Sequence, residues 1–183
     1  MAKICIGIPT AESIKTQTVL DLFELTKRNN IDKVIVKQSA LVHTNRETIV
    51  LDALKTDCTH LLFLDSDMSF GSLILEKLIA HDKDIVGLIY YFKTTEGRPV
   101  VYMDERKPLD KNNIPRKLFK CHAIGTGCLL IKLSVFEKIE RPWFFFEESC
   151  GEDIYFCEKA HKSGFDIWCD GMLEIKHIGE YKF

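Results

Sequence analysis

The sequence predicts a single α/β domain: a mostly parallel central sheet flanked by helices, with a small additional β element toward the C-terminal half. Three observations lead to it. Short apolar runs alternate with stretches of helical period through residues 1–92, and such alternation builds a parallel sheet covered by helices on both faces. The rhythm changes after residue 92, where polar sequence with prolines separates shorter apolar runs. No internal repeat, low-complexity segment or linker divides the 183 residues, a length that fits one domain with a sizeable core.

Each element has its own signal. Lys3 to Ile8 is apolar and isoleucine-rich, a strand ended by Pro9-Thr10. Thr18 to Lys27 carries Val19, Leu20, Leu22, Phe23 and Leu25 on a helical face, stopped by Asn29-Asn30. Lys33 to Lys37 is a short buried strand, and Asn45 to Lys55 a second helix. His60 to Leu64 is a strand that runs into Asp65-Ser66-Asp67, followed by a helix over Ser72 to His81. Asp84 to Tyr91 is a fourth strand. Thr94 to Pro115 reads as a loop-rich excursion with a short strand at Val100 to Met103. Phe119 to Ile124 and Cys128 to Lys132 are apolar runs around Gly125-Thr126-Gly127, and Ser134 is placed to cap a helix over Val135 to Ile139. Glu152 to Lys162 is helical and ends at Gly164; short strands at Asp166 to Cys169 and Leu173 to Lys176 close the chain.

Composition narrows the function. Hydrophobic residues make up 46% and charged residues 28%, ordinary for a globular protein. A net charge of -2 argues against nucleic acid as a partner. The basic cluster of Arg106-Lys107, Arg116-Lys117 and Lys120 is broken by an acid and prolines, and reads as a solvated loop able to touch a polyanion. No apolar run approaches the roughly 20 residues that span a bilayer, and the apolar stretch at the N-terminus is too short for a signal peptide. The expected location is therefore a cytoplasm. Seven cysteines, an odd number without a CxxC pair, read as free buried thiols, with a zinc site as the alternative.

Several groups of residues carry possible chemistry. In open sheets of this kind ligands bind outside the carboxyl ends of the strands. Asp65 and Asp67 stand at such an end, two residues apart, where extended chain points both side chains the same way. Together they suit Mg²⁺ or Mn²⁺, hard cations that take oxygen ligands and share their shell with phosphates; the other reading is that Asp67 or Ser69 caps the next helix. Glu152-Asp153, after Gly151, opens a helix. Acids there favour the dipole, or one serves as a general base, with Gly151 allowing a ligand close to the backbone. His177 ends a short strand and is a candidate metal ligand beside carboxylates. Asn45-Arg46, at the expected start of the second helix, is either an anion site or a cap with Arg46 in solvent. Gly125-Thr126-Gly127 either admits a sugar or pyrophosphate to the backbone at Gly127, or makes a tight turn.

The order of these motifs is more specific than any one of them. Pro9-Thr10, Asn45-Arg46, LLFLDSDM, GTGCLLIK, PWF, GEDIYFCEKAHKSGFDIWCD and a late histidine follow one another as in GT-A glycosyltransferases. From about Ile4 to Gly179 the chain resembles that group, most closely its family-2-like members, in a minimal form of the kind found in viruses and phages; in that case the location is the host cytoplasm. The resemblance implies a single GT-A domain over 1–183, with a nucleotide-binding half (1–92) and an acceptor and catalytic half (93–183). It implies a metal-dependent transfer of sugar from a nucleotide-sugar donor, a UDP-sugar favoured, to a hydroxyl on a glycan or other acceptor, with inversion.

The same resemblance assigns roles. Asp67 is the direct Mn²⁺ or Mg²⁺ ligand, Asp65 reaches the ribose or the metal, and His177 completes the metal shell. Pro9, Thr10, Glu12 and Ser66 lie on the donor side near the nucleoside, and Arg46 lies near base or phosphates. Asp153 is the base, Glu152 orients the acceptor, and Trp143 offers an apolar face to a sugar ring. There are departures from the pattern. Gln38-Ser39-Ala40 lacks the acid that often follows the second strand, and relatives carry a C-terminal extension not seen here. The alternatives are a nucleotidyltransferase, against which PTAESIKTQT lacks a glycine-rich basic loop, and a non-catalytic nucleotide- or sugar-binding module. A phosphatase is disfavoured, because its Asp-x-Asp usually follows the first strand.

Overall fold

The computed structural model describes residues 2–94, 97–104, 107–148 and 150–179. Arg106, part of the basic cluster read from sequence, lies outside them.

Strands rich in β-branched and leucine side chains, buried on both faces, form the centre of the sheet. The first half is β1 (Ile4–Thr10), α1 (Thr16–Arg28), β2 (Ile31–Gln38), α2 (Val42–Ala53), β3 (His60–Leu64), β4 (Met68–Ser69), α3 (Ile74–Ala80) and β5 (Ile85–Ile89). The second half is β6 (Val101–Tyr102), β7 (Leu118–Cys121), β8 (Ala123–Ile124), β9 (Cys128–Lys132), α4 (Leu133–Lys138), α5 (Glu152–Lys162), β10 (Ile167–Glu174) and β11 (Lys176–His177). The main sheet has seven strands in the order β2-β1-β3-β9-β5-β10-β7. β2, β1, β3, β5 and β10 run one way, while β9 and β7 run against them. This is the mostly parallel α/β sheet the sequence predicts.

Alternate side chains of each strand feed two cores. Cys5, Leu61, Phe63, Leu129 and Ile131 face α2, α4 and α5. Ile6, Ile8, Leu62, Leu64 and Leu130 face α1 and α3. β9 sits between β3 and β5, where the alternating pattern of the first half places no strand. Its residues Cys128 to Ile131 are buried on both faces, so the run needs a ladder on each side. β7 alternates buried and exposed residues and lies at the edge.

Other expectations are corrected in detail. The second helix begins at Val42, so Asn45 and Arg46 lie within its first turns and are buried. Ser134 lies inside α4, whose N-cap is Lys132. The run Phe119 to Ile124 is split between β7 and β8, and the two closing strands become β10 and β11. Two small ribbons, β4 with β11 and β6 with β8, supply the additional β element. Among the described residues no cysteine is in a disulfide, and no helix is long and apolar enough to cross a membrane.

Candidate active site

The carboxyl ends of β1, β2 and β3 open into a cleft of about 190 Å³ lined by Pro9, Thr10, Ser39, Asp65, Ser66, Asp67 and His177, among others. Its walls are tied together by backbone and side-chain bonds. The Thr10 carbonyl accepts from the Ser39 amide at 3.1 Å and from Asn45 Nδ2 at 3.1 Å. The Ser66 carbonyl accepts from the Lys15 amide at 2.8 Å. Glu12 is exposed, and its carbonyl takes a 2.9 Å bond from Gln38 Nε2; its side chain is not part of the lining.

The expectation that Asp65 and Asp67 point the same way is corrected. The chain turns directly after β3, with the Met68 amide bonded to the Asp65 carbonyl, and the two carboxylates diverge. Asp65 Oδ1 accepts from Arg46 Nη2 at 2.8 Å. Asp67 instead meets His177 Nε2 at 3.3 Å and Lys93 Nζ at 2.5 Å. Neither Asp67 nor Ser69 caps the next helix, which starts at Ile74. Burial works to raise the Asp67 pKa, but His177 and Lys93 outweigh it and hold the carboxyl down at about 2.

His177 arrives on a ribbon that the sequence does not announce. β11 pairs with β4, setting His177 opposite Met68, and the Ile178 amide donates to the Asp67 carbonyl at 2.7 Å. The other ring nitrogen, Nδ1, lies 3.0 Å from the Tyr91 carbonyl. A backbone partner of that kind fixes ring orientation in metal-ligating histidines. Among the described residues no three His, Cys, Asp or Glu side chains are grouped to hold a metal ion. Asp67 and His177 are one oxygen and one nitrogen donor. Such a pair fits a cation that fills the rest of its shell with phosphate oxygens and water. Asp65, held by Arg46, is not part of that pair.

Arg46 is 3% exposed and links the two acidic motifs. Besides Asp65 it reaches Glu152 Oε1 through Nε at 3.3 Å, and its guanidinium lies over the Phe63 ring at 5.4 Å. Burial opposes its charge, and Asp65 and Glu152 more than restore it. Nη1 is buried with no hydrogen-bond partner among the described residues. The solvent-exposed reading of Arg46 is corrected: it is an internal bridge from the end of β3 to the start of α5.

Gly151 is the N-cap of α5, and Glu152 and Asp153 occupy its first turn. Asp153 Oδ1 accepts from the Ile154 amide at 2.8 Å. Burial pushes the Asp153 carboxyl up to about 6, with Glu152 and Asp65 adding and the Ile154 amide and Arg46 subtracting. A carboxylate tuned near neutrality has the proton affinity of a general base.

Two expected sugar-contacting residues are corrected. Trp143 is 4% exposed, and its indole N–H donates to the Phe136 and Ile139 carbonyls at 3.1 and 2.9 Å. It is a core residue. Phe144 is buried as well, and the aromatics facing solvent are the last two in the run, Phe145 and Phe146, at 48% and 47% exposed; a Cβ on Gly151 would lie 3.9 Å from the Phe146 ring. Gly127 is a glycine because the Tyr90 ring lies against it: a Cβ would sit 2.8 Å from Cζ. Its amide donates to Tyr90 Oη at 3.1 Å, and its carbonyl accepts from the Asp65 amide at 3.0 Å. Tyr90 and Arg46 are the positioning residues that sequence reasoning missed or misplaced, since each acts across the fold.

A larger cavity, about 690 Å³, lies elsewhere, at the ends of β5 and β10. Asp65, Asp67 and His177 line the smaller cleft.

No protein-family model matches the chain, and no curated protein matches it by sequence. Solved structures do resemble it. The crystal structure of A197 from STIV superposes with a TM-score of 0.76 at 25% identity, covering 97% of this chain and 86% of that one. GalNAc-T7, solved with UDP, GalNAc and Mn²⁺, superposes with a TM-score of 0.63 at 12% identity over 100% of this chain. The chain spans just under half of that structure, 45%, and the likeness is one of fold. The protein thus has a GT-A-like fold, the architecture of glycosyltransferases.

Proposed function

We propose that the protein is a metal-dependent glycosyltransferase of the family-2-like kind, moving a sugar from a UDP-sugar to an acceptor hydroxyl with inversion. The observation that carries this is the meeting of Asp67 and His177, 3.3 Å apart, in the cleft at the carboxyl edge of the sheet. The presence of UDP, GalNAc and Mn²⁺ in a structural neighbour supports the choice of donor and cation.

In this reading residues 1–92 bind the nucleotide and 93–183 hold the acceptor and base. Pro9, Thr10 and Ser66 line the nucleoside side. Asp67 and His177 hold Mn²⁺ or Mg²⁺, which when bound offsets the charge growing on the departing diphosphate. Lys93, now on Asp67, is free to swing to a phosphate oxygen. Asp153 takes the proton as the acceptor oxygen bonds to the anomeric carbon, while the bond to diphosphate breaks and its electron pair leaves with the phosphate. Attack from the face opposite the leaving group inverts the centre. Arg46 holds Glu152 and Asp65 in place, and the exposed rings of Phe145 and Phe146, the latter beside Gly151, offer an apolar surface to the acceptor.

Calorimetric titration of UDP with and without Mn²⁺ tests the proposal. The native chain is expected to bind UDP only with the metal, and Asp67→Ala to lose that binding with its melting temperature retained. Unchanged Mn²⁺-dependent binding in the variant would remove Asp67 from the site.

A further inference from the structure

We infer that the 690 Å³ cavity at the ends of β5 and β10 binds an anionic saccharide, such as a sugar phosphate, and does so without metal. That this saccharide is the acceptor rests on the proposed transferase reading; the binding itself does not.

The cavity is a built feature of the fold. β10 leaves its ladder there: Asp170 pairs with Leu88 and Glu174 with Ile89, so residues 171–173 are extra to the register. Bulges of this kind re-aim side chains and recur beside functional sites. This one is anchored at its start, where buried Asp170 meets His81 Nε2 at 2.8 Å and accepts from the Met172 amide at 2.8 Å. The segment across the cavity is fixed too. Asp110 accepts from the Asn112 amide at 2.9 Å and from Asn113 Nδ2 at 2.6 Å, and the Gly171 amide donates to the Lys117 carbonyl at 3.1 Å. Gly171 is required for that approach, because a Cβ would collide with the Pro115 carbonyl oxygen.

The lining gives the ligand its chemistry. Arg116 and Lys111 bring two cations from the loop side, and Glu174 and Asn112 bring oxygen and amide groups. Tyr91 lines the same space, and its hydroxyl pKa is raised by burial and by the Glu174 charge, which places that carboxylate near the ring. A guanidinium suits phosphate or carboxylate. A carboxylate beside a phenol and an amide suits sugar hydroxyls, which both donate and accept. A bare anion would be repelled by Glu174, and a neutral sugar would leave Arg116 unused. The Tyr91 carbonyl also holds the His177 ring, so the cavity shares a wall with the cleft.

The test is titration by calorimetry and by amide chemical shifts, with glucose 6-phosphate, glucose and inorganic phosphate as probes, in the absence of metal. Glucose 6-phosphate is expected to bind at least tenfold more tightly than either of the others, with shifts at Asn112 and Met172. Arg116→Glu, an exposed position, should weaken it at least tenfold. Glu174→Gln should bring sugar phosphate and phosphate closer in affinity. Absence of binding, indifference to Arg116→Glu, or equal affinity for phosphate and glucose 6-phosphate would each overturn the inference. UDP with Mn²⁺ is titrated on the same proteins. Failure there, with sugar phosphate still bound, sinks the donor reading and leaves the cavity standing.

Discussion

The Asp153 carboxyl is pushed up from 3.8 to about 6 mainly by burial, and next by Glu152. Between those two values the folded chain holds a proton that the unfolded chain has released. Stability therefore falls as pH rises through that window, and the loss is complete above about 6. Two pKa units correspond to roughly 3 kcal/mol, and partial exposure of the residue reduces this to about 1–2 kcal/mol. Asp153→Asn carries no such cost. The variant is expected to match the native chain at pH 4 and to exceed it by about 1–2 kcal/mol at pH 8, read from thermal melts at both values. If Asp153 is the base, the same substitution abolishes transfer, and native kcat/KM climbs with pH through about 6. A site residue that costs stability and supports turnover is the usual trade at an active centre. Arg46 works the other way, since removing it would strand two carboxylates in a buried setting.

At the scale of elements, the Gly125-Thr126-Gly127 turn links Tyr90, after β5, to the end of β3. A Cβ on Gly125 would collide with Tyr90 Oη and lie 2.7 Å from Val100 Cγ1. Overpacking of a buried site costs about 1–3 kcal/mol. Gly125→Ala is thus expected to lower stability by that amount in urea denaturation. It should also shift the Asp65 amide resonance, because Gly127 moves with the ring and bonds that amide. A fully native spectrum would show that the turn is not tied to the site. The element scale also shows what was legible. Glu152 to Lys162 could be read end to end: acids open it, basic residues fill its last turn, and Gly164, at φ 84°, closes it. The ribbon of β4 and β11 could not, because two-residue strands have no periodicity to detect. His177 was found as a residue, but its partner Asp67 could be assigned only through a family resemblance. Arg46 was misplaced because a helix start set three residues late turned an internal bridge into a surface cap. Trp143 was misread for a similar reason, since an aromatic run does not say which ring turns inward.

At the scale of the molecule, the alternation in the first half fixed the layers, and the central place of β9 required the full set of pairings. One consequence is mechanical. β9 joins β3 to β5 and contributes Leu129 and Ile131 to one core and Leu130 to the other, so both cores depend on the same ladder. The molecule should unfold as one cooperative unit even though its two cores do not touch across the sheet. Ile49 on α2 and Ile74 on α3 test this, for each is buried in a different core. Ile49→Val and Ile74→Val should each cost about 0.5–1.5 kcal/mol. With the sheet between them, the double variant should equal the sum within about 0.5 kcal/mol. The urea m-value should stay constant across the set, as expected when the same surface is exposed in one step. Two transitions, or a reduced m-value in one variant, would mean that one core melts while the other holds. The cleft would then be divided between separately folding parts, because Arg46 on α2 belongs to the first core's face and the β4–β11 ribbon, with Met68 and Ile175, to the second.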